Sequence, residues 1–309
     1  MPSIPDHPLR YALANELHAR PFPSLDAPCF AAYIAIKPEH NAANRDRAAD
    51  RAHLLALLDR FGAPHPQPDA THYFGDIGKY SLKWESHTEF VTYTIFGTGN
   101  AQRPFDPVCF DVFPGDWLKT APGVRVTSAM IRIELTKDFA RIVPKLDDWF
   151  VPESLAVSQV LDGSAVIASD FRIDTSGHMR IAVFASPSAG ARRTGRIAQR
   201  LCEIETYKAM SMLGLTRARR LSADLGPIDR QLTHLVGAMT GDVSSPEATL
   251  KDLLSISAEL ENMAAQSSFR FGATGAYEAI VNQRIAVLRE ERFEGRQTFA
   301  EFMMRRYDP

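Results

Sequence analysis

The sequence predicts an α+β protein in which a β-rich N-terminal half is followed by an all-helical C-terminal half. Before residue 187, apolar side chains in several short stretches alternate with polar ones, which is typical of strands. After residue 187 they recur every three or four residues, as on one face of a helix. An apolar fraction of 45% over 309 residues is enough for a large core. We therefore predict two domains, residues 1–186 and residues 187–309.

The first half is expected to begin with a β-α-β-β-α-β unit, the order of a ferredoxin-like fold. The continuous apolar run over 29–36 is typical of a strand with both faces buried. Alternating stretches on either side of His87 predict a hairpin with one polar face. In chain order, the predicted elements are a short helix after His7-Pro8, a strand over 29–36, a helix over 39–61 that stops at Gly62, strands over 80–85 and 91–95, a short helix near Trp117 and a strand over 124–135.

Residues 138–186 are expected to add a helical connector and an antiparallel β-meander. Asp162-Gly163 is a signal for a two-residue hairpin, and Thr175-Ser176-Gly177 marks a second turn. The connector covers 138–150, and the three strands cover 155–160, 165–173 and 178–184.

Five helices are predicted in the second half. Pro227 is placed at the start of the second and Ser245-Pro246 at the start of the third, because proline is tolerated in the first turn of a helix. The third and fourth are long and joined by a short link, so we expect them to pack as an antiparallel helical hairpin. The apolar stripe of the fifth, 297–306, still continues near the end of the chain without a cap, so either this helix frays or the chain is the front part of something longer.

Composition argues against several classes of protein. A net charge of −2 does not suit general nucleic-acid binding, so we predict no nucleic-acid partner. The cysteines Cys29, Cys109 and Cys202 form no CxxC pair, which argues against a disulfide framework or a structural zinc site. A signal peptide is not evident and the longest apolar run is too short for a membrane helix, so we expect a cytoplasmic protein. The sequence has no phosphate-binding, nucleophile-elbow or zinc-protease motif, and we predict neither a cofactor nor a metal.

The first group of candidate site residues is Glu16-x-His18-x-Arg20, where the first helix is expected to end. Side chains two residues apart do not share a helix face, so these three converge only if the helix stops there. Together they would form an acid–base or anion-binding site, with His18 titrating near neutral pH. The alternative is a helix C-terminus at which cations interact favourably with the helix dipole.

The second group is Lys83, Trp84, Glu85, His87 and Glu89. On a straight strand Lys83, Glu85, His87 and Glu89 share one face, and the last three offer metal ligands. A hairpin turn at His87 would break that register. Cross-strand pairing of lysine and glutamate on a polar face is then the main alternative, and a partner-binding face is the other.

The third group is a basic segment in the helical half. Residues 192–220 contain eight basic residues and two acidic ones, a net charge of +6. The first arginines lie at a predicted helix N-terminus, where the dipole disfavours cations. Arg192, Arg193, Arg196 and Arg200 are therefore candidates for binding an anion such as phosphate or a lipid head group, and a solvated helix face is the alternative.

The fourth group is structural. Arg284 lies inside an apolar stripe, and a buried arginine requires a carboxylate partner. We predict an ion pair between Arg284 and either Glu203 or Glu205. Because these two carboxylates point away from each other on a helix, paired acid–base chemistry between them is not expected.

Several stretches of the chain are similar to one protein family: 7–10 with 16–21, 82–90, 199–207, and 277–284 with 302–306. The chain resembles the bacterial proteins grouped as domain of unknown function 3422, and residues 83–90 are the most specific part of the likeness. The resemblance implies a membrane-anchored protein, because members typically continue into apolar C-terminal segments. It implies no particular activity.

These observations favour a non-enzymatic cytoplasmic module for binding, sensing or scaffolding. The helical half is expected to form a homo-oligomer, and a longer version would associate with the inner face of the membrane. One alternative is an enzyme, or an anion- or metal-binding protein, whose site lies near His18, Arg20, Glu85 and His87. Another is an oligomeric accessory of a channel or transporter, by analogy of layout alone.

Overall fold

The computed structural model describes residues 4–16, 22–40, 42–239 and 245–306. The chain divides into two compact units. The first, which we call the sheet unit, contains the residues up to 206 and those from 284 onwards, and the second, the hairpin unit, contains residues 207–283. The predicted domain boundary between residues 186 and 187 lies within the sheet unit.

One nine-stranded sheet forms the centre of the sheet unit, and this confirms the predicted α+β class. Its strands are β1 Cys29–Lys37, β2 His72–Ile77, β3 Tyr80–Ser86, β4 Val91–Thr98, β5 Val124–Leu135, β6 Ala156–Val160, β7 Ala165–Ile173, β8 Met179–Ala185 and β9 Glu291–Arg292. They lie in the order β2-β3-β4-β1-β5-β8-β7-β6-β9. β5 and β8 pair in parallel, and the other neighbouring strands are antiparallel.

The predicted strands are present, and two further strands join them. The four strands of the β-α-β-β-α-β unit lie side by side as β3, β4, β1 and β5, and the meander is formed by β6, β7 and β8. The sequence does not predict β2, because Gly75 and Asp76 interrupt its apolar alternation. It does not predict β9, because two residues are too few to show a period.

The helices are α1 Arg10–Glu16, α2 Arg47–Phe61, α3 Gly115–Leu118, α4 Val143–Trp149, α5 Gly190–Met239, α6 Pro246–Ala286 and α7 Phe299–Arg306. α2 begins later than predicted because Asp46 caps it, with its carboxylate accepting hydrogen bonds from the amides of Ala48 and Ala49. At its other end Gly62 adopts a φ of 61°, which confirms the predicted stop.

Two helix boundaries predicted in the second half are wrong. Pro227 does not open a helix but lies inside α5, which runs for 50 residues. Proline removes one backbone hydrogen bond and crowds the preceding turn, and Gly226 in that turn has no β-carbon to add to the crowding. The third and fourth predicted helices are a single helix, α6, of 41 residues. The antiparallel hairpin is therefore formed by α5 with α6.

Contacts inside the hairpin unit establish that α5 and α6 are antiparallel. The rings of Tyr207 and Tyr277 stack with their centroids 5.6 Å apart. Ten residues later in α5 and ten residues earlier in α6, Arg217 Nε donates a hydrogen bond of 3.0 Å to Ser267 Oγ.

Both faces of the central strands are covered, as the apolar run of β1 predicts. Side chains alternate along a strand, so Ile34 packs in the core with Leu54 and Leu58 of α2 on one face. On the other face the hydroxyl of Tyr33 contacts Thr206 Oγ1 of α5. The first turns of α5, residues 190–206, therefore cover this second face.

Candidate functional site

Of the first predicted group, His18 and Arg20 lie outside the described residues, as does the side chain of Glu16. The acid–base or anion-binding site that these residues would form stays a prediction. The second group is described in full and lies on and beside the hairpin of β3 and β4.

Lys83 and Glu85 lie on the sheet face that α5 covers, whereas Trp84 lies on the opposite face, in the core. Lys83 Nζ is 3.2 Å from Glu85 Oε1 and donates a hydrogen bond of 2.8 Å to Gln199 Oε1 of α5. Lys83 is only 4% exposed, and a lysine cation buried to this degree requires such partners. Trp84 is separated from the other two by the sheet, because successive side chains point to opposite faces.

The contacts of Lys83 continue along α5. Gln199 Nε2 donates a hydrogen bond of 2.8 Å to Glu203 Oε1. The other carboxylate oxygen of Glu203 accepts a hydrogen bond of 2.6 Å from Arg200 and forms an ion pair with Arg284. We call the set Glu85, Lys83, Gln199, Glu203, Arg200 and Arg284, of which Lys83 and Gln199 are buried and the others partly buried, the polar chain.

The ion pair of Arg284 is thus with Glu203, one of the two carboxylates proposed from the sequence. Glu205 is 3% exposed and accepts a hydrogen bond of 2.7 Å from Thr127 Oγ1 of β5. Residues two apart diverge on a helix, so the two carboxylates reach different elements. Together they join α5 to both α6 and the sheet.

His87 and Glu89 lie in the turn between β3 and β4, which interrupts the strand register. The backbone N–H of His87 donates a hydrogen bond of 2.9 Å to the Phe90 carbonyl, and its ring stacks on the Phe90 ring at 4.3 Å. Lys83, Glu85, His87 and Glu89 therefore do not share one straight strand face. In the described part of the chain, no cluster of three or more His, Cys, Asp or Glu side chains is arranged to hold a metal ion.

The predicted anion-binding arginines lie close together at the start of α5. Arg192, Arg193 and Arg196 line one open hollow of about 470 Å³. Arg193 Nη1 also donates a hydrogen bond of 2.7 Å to Ser164 Oγ. The guanidinium carbons of Arg196 and Arg200 lie 5.1 Å and 4.9 Å from the centroid of the Phe22 ring, which are cation–π distances. Binding of an anion here stays a prediction.

A second hollow, of about 450 Å³, is lined in part by Phe110, Arg125 and His178. The His178 ring stacks on Phe110 with the centroids 3.7 Å apart, and its Nδ1 lies 2.8 Å from Ser128 Oγ. Burial, and secondly the charge of Arg125, lower the pKa of His178 to about 4 against the opposing effect of Asp174. His178 is therefore a neutral hydrogen-bonding group at pH 7.

Sequence reasoning missed this position, since it identified His178 only as the first residue of a strand. The available signal was Asp174, four residues earlier and beside the predicted turn. Its carboxylate accepts hydrogen bonds from the amides of Ser176 at 2.9 Å and His178 at 3.1 Å. Such a turn fixes the backbone from which the imidazole projects.

The three cysteines are free thiols. Burial, with smaller contributions from nearby carboxylates, raises the pKa of Cys29 and of Cys109 to about 12. Burial also raises the pKa of Cys202 well above its usual value. Because the thiolate is the reactive form, these side chains are poor nucleophiles at neutral pH.

In the part of the chain that is described, no helix combines the length and the apolar composition needed to cross a membrane.

Comparisons with known proteins identify a family. The family model described as "Protein of unknown function (DUF3422)" matches residues 5–309. No curated protein and no solved structure matches the chain. Because the family match covers nearly the whole length, the chain belongs to this family of proteins of unknown function, DUF3422.

Proposed function

We propose that the protein is a non-enzymatic scaffolding module. In this proposal the sheet unit, with a ferredoxin-like β-α-β-β-α-β portion, is a binding or sensing head, and the hairpin unit associates with partner helices. The observation that carries the proposal is the apolar surface of the hairpin unit. Two helices bury only the seam between them, so apolar side chains elsewhere on their surface are available to a partner.

Eleven large apolar side chains of the hairpin unit are each more than a third exposed. The residues are Met212, Leu215, Leu225, Leu232, Val236 and Met239 of α5 with Leu250, Leu254, Leu260, Phe269 and Phe271 of α6. Side chains four residues apart share a helix face, so Leu232 with Val236 and Leu250 with Leu254 form exposed apolar clusters. Clustered exposed apolar side chains mark interaction sites in soluble proteins.

The polar chain also supports a structural role for the ionisable residues. Lys83 is 4% exposed and its charge is balanced by Glu85, so neither is presented to a substrate as a free acid or base. An enzyme that uses Glu85 and His87 with His18 and Arg20 is the weaker alternative. It requires Glu85 to leave Lys83, which would leave a buried cation without its carboxylate.

We further propose that a longer version of this bacterial protein lies in the cytoplasm, at the inner face of the membrane. The net charge of +6 over residues 192–220 supports this location, because an anionic leaflet attracts basic side chains with ~1 kcal/mol each. A longer version recovered entirely in the soluble fraction after cell lysis would contradict it.

The size of the native complex tests the scaffolding role. Leu250→Glu with Leu254→Glu places two charges on the hairpin surface at positions that are 58% and 61% exposed. We expect the complex in cell extracts, measured by native sedimentation, to become smaller while the purified variant keeps its fold.

The matched control is Val108→Glu with Ile173→Glu, at exposed apolar positions of the sheet unit. This variant is expected to keep the wild-type complex size. A wild-type protein that sediments in extracts as a single chain would contradict the scaffolding role, and a ring-shaped oligomer would favour the channel-accessory alternative.

A further inference from the structure

We infer that the partner of the hairpin unit is a second copy of this chain, whose hairpin lies antiparallel to the first. This inference rests on the proposed scaffolding function and identifies the partner. Its basis is the distribution of charge along α5 and α6, which differs between the two ends of the hairpin.

One end of the hairpin is basic. We call it the root, and it comprises residues 207–220 of α5 with 263–283 of α6. It contains five basic residues and one acidic residue, a net charge of +4. The basic residues are Lys208, Arg217, Arg219, Arg220 and Arg270, and the acidic residue is Glu278.

The other end is acidic. We call it the tip, and it comprises residues 221–239 of α5 with 246–262 of α6. It contains six acidic residues and two basic ones, Arg230 and Lys251, a net charge of −4. The acidic residues are Asp224, Asp229, Glu247, Asp252, Glu259 and Glu261.

The net charges of the root and the tip are equal in magnitude and opposite in sign. An antiparallel second hairpin places its tip beside the first root and its root beside the first tip, so both contacts are attractive. A parallel hairpin would place like charges together at both ends. The antiparallel arrangement has a two-fold axis, which makes the interface closed and self-complementary.

Exposed apolar side chains are present at both ends of the hairpin. Phe269 lies in the root and is 54% exposed, while Leu250 and Leu254, four residues apart and so on one face of α6, lie in the tip. A purely acidic or purely basic protein partner would match one end and be repelled by the other. A second copy of the chain matches both.

The experiment is sedimentation equilibrium of the purified chain at several salt concentrations. We expect a dimer whose dissociation constant rises at least about tenfold between about 50 mM and about 500 mM NaCl, because salt screens the attraction. A parallel dimer would respond in the opposite direction, since salt would relieve its like-charge repulsion.

Two charge variants and their mixture test the pairing directly. Arg219→Glu with Arg220→Glu brings the root to zero net charge, and Glu259→Lys with Glu261→Lys brings the tip to zero. All four positions are exposed, so the monomer fold is preserved. Each variant is expected to dimerise at least about tenfold more weakly, and a mixture of the two is expected to regain association through one intact root–tip contact.

The matched control is Lys137→Glu with Arg141→Glu, an equal charge change at exposed positions of the sheet unit, which should leave the dimer intact. A purified chain that is monomeric at all salt concentrations, or a dimer unaffected by the hairpin charges or tightened by salt, would overturn the antiparallel pairing. A reduced complex in extracts of the Leu250→Glu/Leu254→Glu variant would then still support scaffolding with a different partner.

Discussion

The side chain of Glu203 joins α5 to the end of α6. Its carboxylate contacts Gln199, Arg200 and Arg284, and it is 18% exposed. Removing a partly buried carboxylate leaves two guanidinium groups without compensation, which costs more than the pair itself contributes.

We expect Glu203→Gln to lower the free energy of unfolding by about 2 kcal/mol and Arg284→Met by about 1 kcal/mol, because methionine keeps the apolar stem of the arginine. Chemical denaturation of both single variants and the double variant gives their coupling, expected at about 1 kcal/mol. The exposed Glu39→Gln is the control and should leave stability unchanged. Additive effects of the two substitutions would refute the ion pair.

His178 gives the sheet unit a dependence on pH. Its pKa falls from 6.5 to about 4 on folding, so protonation favours the unfolded chain. The stability that it contributes is complete above pH 6.5 and is lost as the pH falls towards 4.

Accordingly, the wild-type chain should lose about 2 kcal/mol more stability between pH 6.5 and pH 4 than His178→Asn does. Asparagine retains a group that hydrogen-bonds to Ser128 but does not titrate in this range. Urea denaturation at a series of pH values measures the difference. His40→Asn, at an exposed position, should follow the wild-type profile, and equal slopes for wild type and His178→Asn would show that His178 is not responsible.

At the scale of elements, α5 and the segment before β1 approach each other closely at Gly195. A β-carbon at position 195 would lie 1.7 Å from the Pro23 carbonyl oxygen. Nearby, the amide of Leu25 donates a hydrogen bond of 3.0 Å to the Ala191 carbonyl. Glycine is therefore required at position 195 because a β-carbon there would clash with Pro23, and not because the helix itself needs a glycine.

Gly195→Ala is expected to destabilise the sheet unit by about 2–3 kcal/mol, although alanine has the higher helix propensity. The opposite sign is expected for Gly272→Ala in α6, where no atom lies within 4 Å of the new β-carbon. That substitution should stabilise by about 0.5–1 kcal/mol. Thermal unfolding measured by circular dichroism distinguishes the two, and stabilisation by Gly195→Ala would contradict the close approach.

The sequence predicts elements well where a local pattern alone determines them. The run over 29–36 and the turn at Asp162-Gly163 contain their own signals, and both elements form. Pro227 was misread because its local preference for a helix start is overridden by the surrounding 50-residue helix. α2 was predicted eight residues too early because the cap at Asp46 lies inside a polar stretch with no apolar period.

For the candidate site too, local sequence predicts some contacts and not others. Lys83 and Glu85 are related by strand alternation, so their pairing follows from the sequence. Gln199 is 116 residues from Lys83, and no periodicity reveals which turn of α5 lies over β3. His178 lies in a hollow lined by residues from several parts of the chain, which only the tertiary packing brings together.

At the scale of the whole molecule, burial is uneven. β1 is buried along nearly its entire length in the sheet unit. In the tip of the hairpin unit, Ile228 and Ile256 are buried while Leu250 and Leu254 are largely exposed. Local opening depends on how much surface must be exposed, so the two units should open with different free energies.

Amide hydrogen exchange should therefore be at least about tenfold faster in the tip than in β1 when the chain is dilute enough to be a monomer. At concentrations that favour the dimer, exchange in the tip should slow and exchange in β1 should not change. Mass spectrometry of peptides from the two regions measures both. Tip protection equal to that of β1 in the dilute sample would contradict the difference in local stability.

α5 is a single helix that contributes residues 190–206 to the sheet unit and the remainder to the hairpin unit. At this point the two units are joined by continuous helix and not by a loop. Gln199 and Glu205, whose side chains contact β3 and β5, therefore lie in the same helix as apolar side chains that the hairpin offers to a partner.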